Sequence, residues 1–289
     1  PTYNRANTLP KCYESLCNQT NQNFKWLIID DGSIDNTFDV IKGFIDSKAI
    51  DLEYIYKNNG GKHTAVNEGV KHIETELILI LDSDDYLLPN AIEEINYIAE
   101  NFGNEQNICG LTLLKSYPNG ELMGNEFPNE GRYNYIDYRV NGTVIGEHCD
   151  VFYTNILKNF PFTEYEGEKY IGESTAWIKM ASEYNMIGVN KVIYVADYLD
   201  GGLTKSGKKM RISNPMGGME YARMCMTKEF TLKRRIKSGI LYNSYGTIAG
   251  DNAIKRIRYS TPKLLTLLTY PLGFLLSVYW MSKYKVRRG

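Results

Sequence analysis

Residues 77–85 read LILILDSDD, an unbroken apolar run that stops abruptly at Asp82, Asp84 and Asp85. A run of this kind is typical of a strand with both faces buried, as in a sheet covered by helices. Carboxylates that follow such a strand stand at the carboxyl end of the sheet, where open α/β folds bind their ligands. The stretch therefore predicts an α/β domain with a ligand site at this turn.

The segments around this run alternate between strand-like and helix-like patterns. Strands are predicted over 24–29, 52–56 and 76–81, and helices over 7–18, 35–45, 63–73 and 90–102. Two of the strands end in turns, DDGS at 30–33 and NNGG at 58–61. This alternation predicts a mostly parallel, Rossmann-like sheet flanked by helices.

The chain beyond residue 103 is less regular. We expect a hairpin turn at 118–120, a helix over 174–184, a late strand pair over 186–198 and helices from residue 205 onward. A length of 289 residues with 43% hydrophobic residues suits one large α/β domain with an appended piece.

Charge is distributed unevenly along the chain. Residues 1–204 hold 15 Lys and Arg against 31 Asp and Glu, whereas the balance from residue 205 onward is +15. The apolar run 264–281 lies inside this basic part. Nucleic acid is allowed by charge alone, but a basic segment around an apolar run suits an anionic membrane surface better, so we expect no nucleic-acid partner.

The apolar run is only marginally long enough to cross a membrane. Its 18 uncharged residues would form a helix of about 27 Å, against a hydrocarbon core of about 30 Å. Pro271 and Gly273 fall near its middle. We therefore favour a helix that lies in the interface over one that spans, and we leave both possibilities open.

The cysteines and the start of the chain bear on the compartment. Five cysteines, odd in number and without a Cys-x-x-Cys spacing, favour a reducing compartment. No signal peptide is visible, and because the sequence opens on Pro1, a targeting segment or a first strand could precede it.

Four motifs in a fixed order resemble those of the family 2 glycosyltransferases. They are PTYNR at 1–5, IIDDGSIDNT at 28–37, NNGGK at 58–62 with NEG at 67–69, and LDSDD at 81–85. Together they are far more specific than any one of them. The resemblance implies an A-type glycosyltransferase fold, a uridine or other nucleoside diphosphate sugar as donor, and inversion at the anomeric carbon.

The resemblance is strong over the first half of the chain and moderate to about residue 200. We assign 1–204 to a catalytic domain, with a nucleotide-sugar-binding half at 1–103 and an acceptor half at 104–204. We expect residues 205–289 to form a basic helical tail that associates with a membrane. The resemblance to the family does not extend into this tail.

The first two motifs imply contacts to the nucleoside. Thr2, Tyr3, Asp30 and Asp31 match positions that hold the base and ribose. A carboxylate can accept a hydrogen bond from a uracil N–H, and an aromatic ring can stack on the base. An ordinary strand-to-helix turn with an Asp cap is the alternative interpretation of the acidic pair.

The other two motifs imply contacts to the diphosphate. Gly60 would let the backbone approach the donor, and Lys62 would lie near its phosphates. Asp82 and Asp84 form an Asp-x-Asp motif that could hold Mn²⁺ or Mg²⁺, because hard cations take oxygen ligands and bridge carboxylates to phosphates. Asp82 would also contact the donor.

The family typically carries a Glu-Asp pair followed by a tryptophan or other aromatic residue, and the Asp of this pair serves as the catalytic base. The pair is altered in this chain. Counting back from Trp177 places Glu173 where the family's catalytic Asp stands, and Gly172 where its Glu stands. A glutamate can serve as the general base. A helix-start residue without a catalytic role is the alternative, and Glu164, Glu166 and Glu168 are rival bases.

These features predict an inverting glycosyltransferase that acts on a glycan or lipid-linked acceptor in surface polysaccharide or glycolipid assembly. We expect it in the cytoplasm, peripheral to the inner face of the plasma membrane. Two other functions stay open: a sugar nucleotidyltransferase, and a non-catalytic sugar-binding scaffold of the same fold. Arg5 is the only basic residue in 1–9, which disfavours the nucleotidyltransferase, because such enzymes usually carry a basic phosphate loop near the first strand.

Overall fold

The computed structural model describes residues 1–102, 105–142, 144–196 and 203–286. The chain forms two compact units, Pro1–Pro161 with Met180–Leu199, and Phe162–Lys179 with Asp200–Gly289. Residues 162–179, which the sequence assigns to the catalytic domain, group with the C-terminal helices in this division. We refer to the two as the sheet unit and the helical unit.

The first hundred residues of the sheet unit alternate between helices and strands. Their elements are α1 (Leu9–Cys17), β1 (Trp26–Asp30), α2 (Thr37–Ser47), β2 (Leu52–Tyr56), α3 (Lys62–His72), β3 (Leu77–Leu79), β4 (Tyr86–Leu87) and α4 (Ala91–Phe102). Every helix and strand predicted in this part is present within about three residues of its expected bounds. The short strand β4 was not predicted.

The rest of the sheet unit holds most of the long strands. It contains β5 (Ile108–Ser116), β6 (Gly131–Tyr133), a π-helix (Ile136–Val140), β7 (His148–Tyr153), α5 (Thr154–Leu157) and β8 (Asn185–Val195). The hairpin turn at 118–120 is confirmed, since the Gly120 amide donates to the Tyr117 carbonyl at 2.9 Å. The strand pair expected over 186–198 is wrong: 185–195 is one strand, and 197–198 lie outside the described residues.

The α/β class with helices flanking a central sheet is confirmed, but the strand pairing is mixed rather than mostly parallel. β1 pairs with β2 in parallel, and a six-stranded sheet has the order β3-β7-β5-β8-β4, with β6 also on β8. In this sheet β5–β8 is parallel and the other pairings are antiparallel. The connection from β5 to β7 consists of a turn, β6 and a π-helix rather than a crossover α-helix, so the two strands run antiparallel.

Apolar side chains of β5 and β8 form the main core. Leu111, Leu113, Ile187 and Ile193 are fully buried and pack together with residues of α4. A fully buried aliphatic side chain contributes about 1.5–3 kcal/mol through the hydrophobic effect. This core holds β8 in place beside residues 82–85, the acidic turn that follows β3.

A cavity of about 1060 Å³ lies between β1 and β3. Its lining is largely apolar and includes Ile29, Val66, Leu77 and Leu79. Of the site residues predicted from the sequence only Thr2 lines this cavity, so the cavity is not the candidate for the site.

The helical unit contains α6 (Ser174–Met180, of which Met180 belongs to the sheet unit), α7 (Leu203–Ser213), α8 (Pro215–Met224), α9 (Leu232–Ile248), α10 (Ala253–Tyr259) and α11 (Lys263–Tyr284). The helical character predicted from residue 205 is thus present. α6 ends four residues earlier than expected. Within the described residues, α11 is the one helix whose length and composition would allow it to cross a membrane.

Candidate functional site

Four loops, 1–5, 30–37, 58–62 and 82–85, carry the nucleotide-binding and metal-binding residues predicted from the sequence, and they lie at the carboxyl ends of β1, β2 and β3. The first of them, 1–5, runs beside β1: the Thr2 amide donates to the Ile29 carbonyl at 2.9 Å, and the Asp31 amide donates to the Thr2 carbonyl at 2.8 Å. The Asn4 amide donates to Ser33 Oγ at 2.9 Å. Thr2 is buried, whereas the Tyr3 ring is 43% exposed and accessible to a ligand.

Asp31 connects β1 to the glycine turn that follows β2. Its Oδ1 accepts from Lys57 Nζ at 2.7 Å and from the Gly60 amide at 2.9 Å. Its Oδ2 accepts from the Gly61 amide at 2.7 Å and from Asn59 Nδ2 at 3.1 Å. Because the carboxylate is buried and fully hydrogen-bonded, it fixes the conformation of the turn.

Asp30 is engaged in a similar way. Its Oδ1 accepts from the Ser33 amide at 2.8 Å, and its Oδ2 accepts from the Tyr54 hydroxyl at 3.0 Å. The acidic pair therefore stabilises two loops in this structure. Its assignment to the base and ribose stays a prediction.

The glycine turn has a backbone that requires glycine. Gly61 has a φ of +96°, and a Cβ on Gly60 would lie 2.6 Å from Thr64 Oγ1. The turn leads directly into α3, whose first residue is Lys62. Lys62 Nζ lies 2.5 Å from Asp82 Oδ1, so the turn after β2 and the turn after β3 meet through an ion pair.

The acidic turn brings three carboxylates close together. Asp82 pairs with Lys62, and Asp84 Oδ2 lies 3.5 Å from Arg5 Nη2. Asp85 is buried and accepts from the Tyr194 hydroxyl at 2.7 Å. The same hydroxyl accepts from the Asp82 amide at 3.1 Å, so Tyr194 on β8 connects both ends of the turn.

The pKa values of the three carboxyls diverge. Burial and the negative charge of Asp82 raise the pKa of Asp84, and they raise the pKa of Asp85 to about 7. Burial also opposes ionisation of Asp82, but the positive charges of Lys62 and Lys115 outweigh it and lower the pKa of that carboxyl. The carboxyls repel one another, and positive charge at the turn stabilises them.

A divalent metal fits the chemistry of this turn only if a ligand supplies further oxygens. Within the described residues, no group of three or more His, Cys, Asp and Glu side chains is arranged to hold a metal ion. Asp82 and Asp84 are partly exposed, at 31% and 22%, and face like charge. Two carboxylates together with phosphate oxygens form the hard-oxygen set that Mg²⁺ and Mn²⁺ prefer.

Glu173 lies in the helical unit, at the start of α6. Its carbonyl accepts from the amides of Ala176 and Trp177, and its side chain is partly exposed. Of the rival bases, Glu164 and Glu166 are exposed. Glu168 is half-buried, because its carboxylate accepts hydrogen bonds from the Met216 and Gly217 amides at 2.6 and 2.9 Å and caps α8.

Fold and loops together define a protein of the A-type glycosyltransferase class. The profile of glycosyl transferase family 2 matches residues 1–153, and the chain belongs to this family. The architecture is similar to that of TarS from S. aureus, whose crystal structure contains UDP-GlcNAc: the TM-score is 0.63 at 16% identity, over 98% of this chain and 78% of TarS.

Several curated relatives are similar over about two thirds of the chain. An uncharacterized glycosyltransferase of Rickettsia bellii is 34% identical over 198 residues, which cover 66% of this chain and 27% of the relative. Chondroitin synthase of Pasteurella multocida is 34% identical over 200 residues, covering 67% of this chain and 20% of that protein. The chain spans between 27% and 35% of the length of the first four curated relatives.

Three residues of the site were missed in the sequence. Arg5 and Asp85 stand inside quoted motifs, so their motifs signalled them without giving them a role. Tyr194 carried no local signal, because it lies in an apolar strand more than a hundred residues after the acidic turn.

Replacing Tyr194 with Phe should destabilise the chain by about 1–3 kcal/mol, because the Asp82 amide and the Asp85 carboxyl then lose their shared partner. The hydroxyl also holds down the raised pKa of Asp85. A folded-state pKa above the unfolded value lowers stability as pH rises through it, so the loss should be larger at about pH 8 than at about pH 5. Urea denaturation at the two pH values measures the loss of stability and its dependence on pH.

The matched control is Tyr153→Phe, since the buried Tyr153 hydroxyl has no hydrogen-bond partner among the residues that the structure describes. This variant should change stability by less than about 0.5 kcal/mol at either pH. Equal effects of the two substitutions would contradict the role given to Tyr194.

Proposed function

We propose that this protein is an inverting glycosyltransferase that moves a sugar from a nucleoside diphosphate sugar to a hydroxyl of a glycan or lipid-linked acceptor. The observation that carries the proposal is the meeting of four loops at the carboxyl ends of β1, β2 and β3, where Asp82 and Asp84 face Lys62 and Arg5. Acidic and basic groups side by side suit a ligand that brings both phosphates and a metal.

A uridine diphosphate sugar is the proposed donor. The similarity in fold to TarS, which was crystallised with UDP-GlcNAc, supports this class of donor. The exposed Tyr3 ring would stack on the base, next to buried Thr2, Asp30 and Asp31. Gly60 would let the backbone approach the diphosphate.

Asp82 and Asp84 would hold the divalent ion, Mn²⁺ or Mg²⁺, and this ion would supply positive charge against the departing nucleoside diphosphate. The chain's own contribution at this end is to fix the two carboxylates. Tyr194 holds the Asp82 amide and Asp85, which keeps the turn in one conformation.

Glu173 is the proposed general base. Its carboxylate would take the proton from the acceptor hydroxyl, whose oxygen forms a bond to the anomeric carbon. The bond from that carbon to the diphosphate oxygen breaks at the same time, and the nucleoside diphosphate leaves with the electron pair. Attack from the face opposite the leaving group inverts the configuration.

We further propose that the enzyme works at the cytoplasmic face of the plasma membrane in surface polysaccharide or glycolipid assembly. α11 has its small and polar side chains inside: Thr266, Thr269, Gly273 and Ser277 are buried. Asn243 Nδ2 of α9 donates to the Thr266 carbonyl at 2.9 Å and to Thr269 Oγ1 at 3.1 Å. The outward face is apolar.

The outward face carries one continuous row of exposed apolar residues. Its members, each 42–67% exposed, are Leu264, Leu267, Leu268, Leu272, Phe274, Leu275, Val278 and Tyr279. Basic residues flank it at Lys255, Arg258, Lys263 and Lys283. A helix with an apolar outer face between basic residues suits the interface of an anionic bilayer, with the α9 side facing away from lipid.

Sugar transfer tests the catalytic proposal. The wild-type chain should release a nucleoside diphosphate from one member of a panel of sugar nucleotides only when an acceptor glycan or glycolipid is present. Glu173→Gln should keep nucleotide affinity and lose transfer by about 10²- to 10⁴-fold, since the amide cannot take the proton. Calorimetry and chromatographic product analysis measure the two quantities.

Glu183→Gln is the matched control, because Glu183 is exposed and lies just beyond α6. It should transfer at the wild-type rate. Near-normal transfer by Glu173→Gln would reassign the base while leaving the function in place. Pyrophosphate formation from a sugar phosphate and a nucleoside triphosphate would identify a nucleotidyltransferase instead, and nucleotide-sugar binding without any turnover would identify a scaffold.

Vesicle sedimentation tests the membrane proposal. The full chain should bind vesicles that contain phosphatidylglycerol at low salt and dissociate as salt rises. Leu268→Asp combined with Leu272→Asp should reduce binding about tenfold or more, because two exposed leucines that would insert into the bilayer are lost and two negative charges are gained. Ile34→Asp, at an exposed apolar residue of the sheet unit, is the control and should bind as wild type does. A wild-type chain that ignores these vesicles contradicts the proposal.

A further inference from the structure

Two positively charged side chains already pair with the carboxylates that the proposed metal would use. Lys62 Nζ lies 2.5 Å from Asp82 Oδ1, and Arg5 Nη2 lies 3.5 Å from Asp84 Oδ2. The two cations come from different loops, one after β2 and one before α1. Both of these side chains are partly exposed, at 26% and 30%, so neither is locked in a packed interior.

The backbone of each cation is held firmly while its charged end can move. The Arg5 amide donates to Thr37 Oγ1 at 2.9 Å. Lys62 follows Gly61, whose amide is fixed by Asp31 at 2.7 Å. Arginine and lysine have long side chains with several rotatable bonds, so both charged groups can swing away from the acidic turn without a change in the loops.

Charge balance favours this movement of Arg5 and Lys62 away from the carboxylates when metal and diphosphate bind. Two carboxylates and two cations sum to zero charge, so a divalent ion that binds alone adds an excess of positive charge to this turn. The diphosphate of a nucleotide sugar brings two negative charges that restore the balance. It also offers oxygens that arginine and lysine bind well.

We infer that Arg5 and Lys62 compete with a divalent metal for Asp84 and Asp82, and that both turn to the diphosphate when metal and nucleotide bind together. Arg5 is thereby a donor-binding residue in addition to those assigned above. The inference rests on the proposed function, because it requires a diphosphate ligand. It makes metal binding weak without nucleotide and makes the two ligands mutually reinforcing.

The test is a pair of affinities that move in opposite directions. In Arg5→Gln and in Lys62→Gln, Mn²⁺ alone should bind about three- to tenfold more tightly, because a competing positive charge is gone. UDP in saturating Mn²⁺ should bind about tenfold or more weakly, because a phosphate partner is gone. Calorimetry with each ligand, checked by electron paramagnetic resonance of free Mn²⁺, gives both values.

Two control variants separate this effect from a structural one. Arg5→Lys keeps the charge and should keep the Mn²⁺ affinity within about twofold of wild type. Lys71→Gln removes a charge from the exposed end of the same helix α3, where Lys71 pairs with Glu68, and should leave both affinities unchanged. A misfolded variant would lose both affinities rather than gain one.

Mn²⁺ affinity that falls or stays unchanged in both Gln variants overturns the inference. So does a wild-type chain that binds UDP equally well with Mn²⁺ and with excess chelator, although the donor site then stands. A wild-type chain that binds UDP under neither condition overturns the proposed function as well.

Discussion

The buried carboxylate of Asp31 holds together loops that are far apart in the sequence. It accepts hydrogen bonds from Lys57, Asn59 and the amides of Gly60 and Gly61, all contributed by the turn after β2. Leaving such donors buried and unpaired would cost about 1–3 kcal/mol for each group. The position of α3, and with it the pairing of Lys62 with Asp82, therefore depends on this one residue of β1's terminal turn.

Charge organises the rest of the site. The acidic turn is stable because Lys62 and Arg5 neutralise its charge and because the Asp82 amide donates a hydrogen bond to the Tyr194 hydroxyl. Nothing in this arrangement is local in sequence, since the partners come from four loops and from β8. The helical unit has the opposite character: α9 and α11 bury small and polar groups against each other, as in Ser244 Oγ donating to the Gly273 carbonyl at 2.9 Å, while α11 presents leucines outward.

Local patterns predicted much of this protein and long-range contacts escaped prediction. The apolar run 77–81 and the turns at 30–33 and 58–61 were informative because burial and backbone geometry act on neighbouring residues. The direction of the strands could not be predicted, because the apolar pattern of β5 and β7 is the same in either orientation. Tyr194 and the grouping of 162–179 with the C-terminal helices depend on contacts between distant segments, which no local pattern encodes.

Hydrogen exchange of the full chain with UDP and Mn²⁺ tests most directly whether the four loops form one donor site. Exchange reports local opening of the backbone, so a ligand held by these loops should slow it there. We expect slower exchange in 1–5, 30–37, 58–62 and 82–85 together, and no change in the hairpin turn at 118–120. Protection that appears elsewhere, or in only one of the four loops, would contradict a shared site.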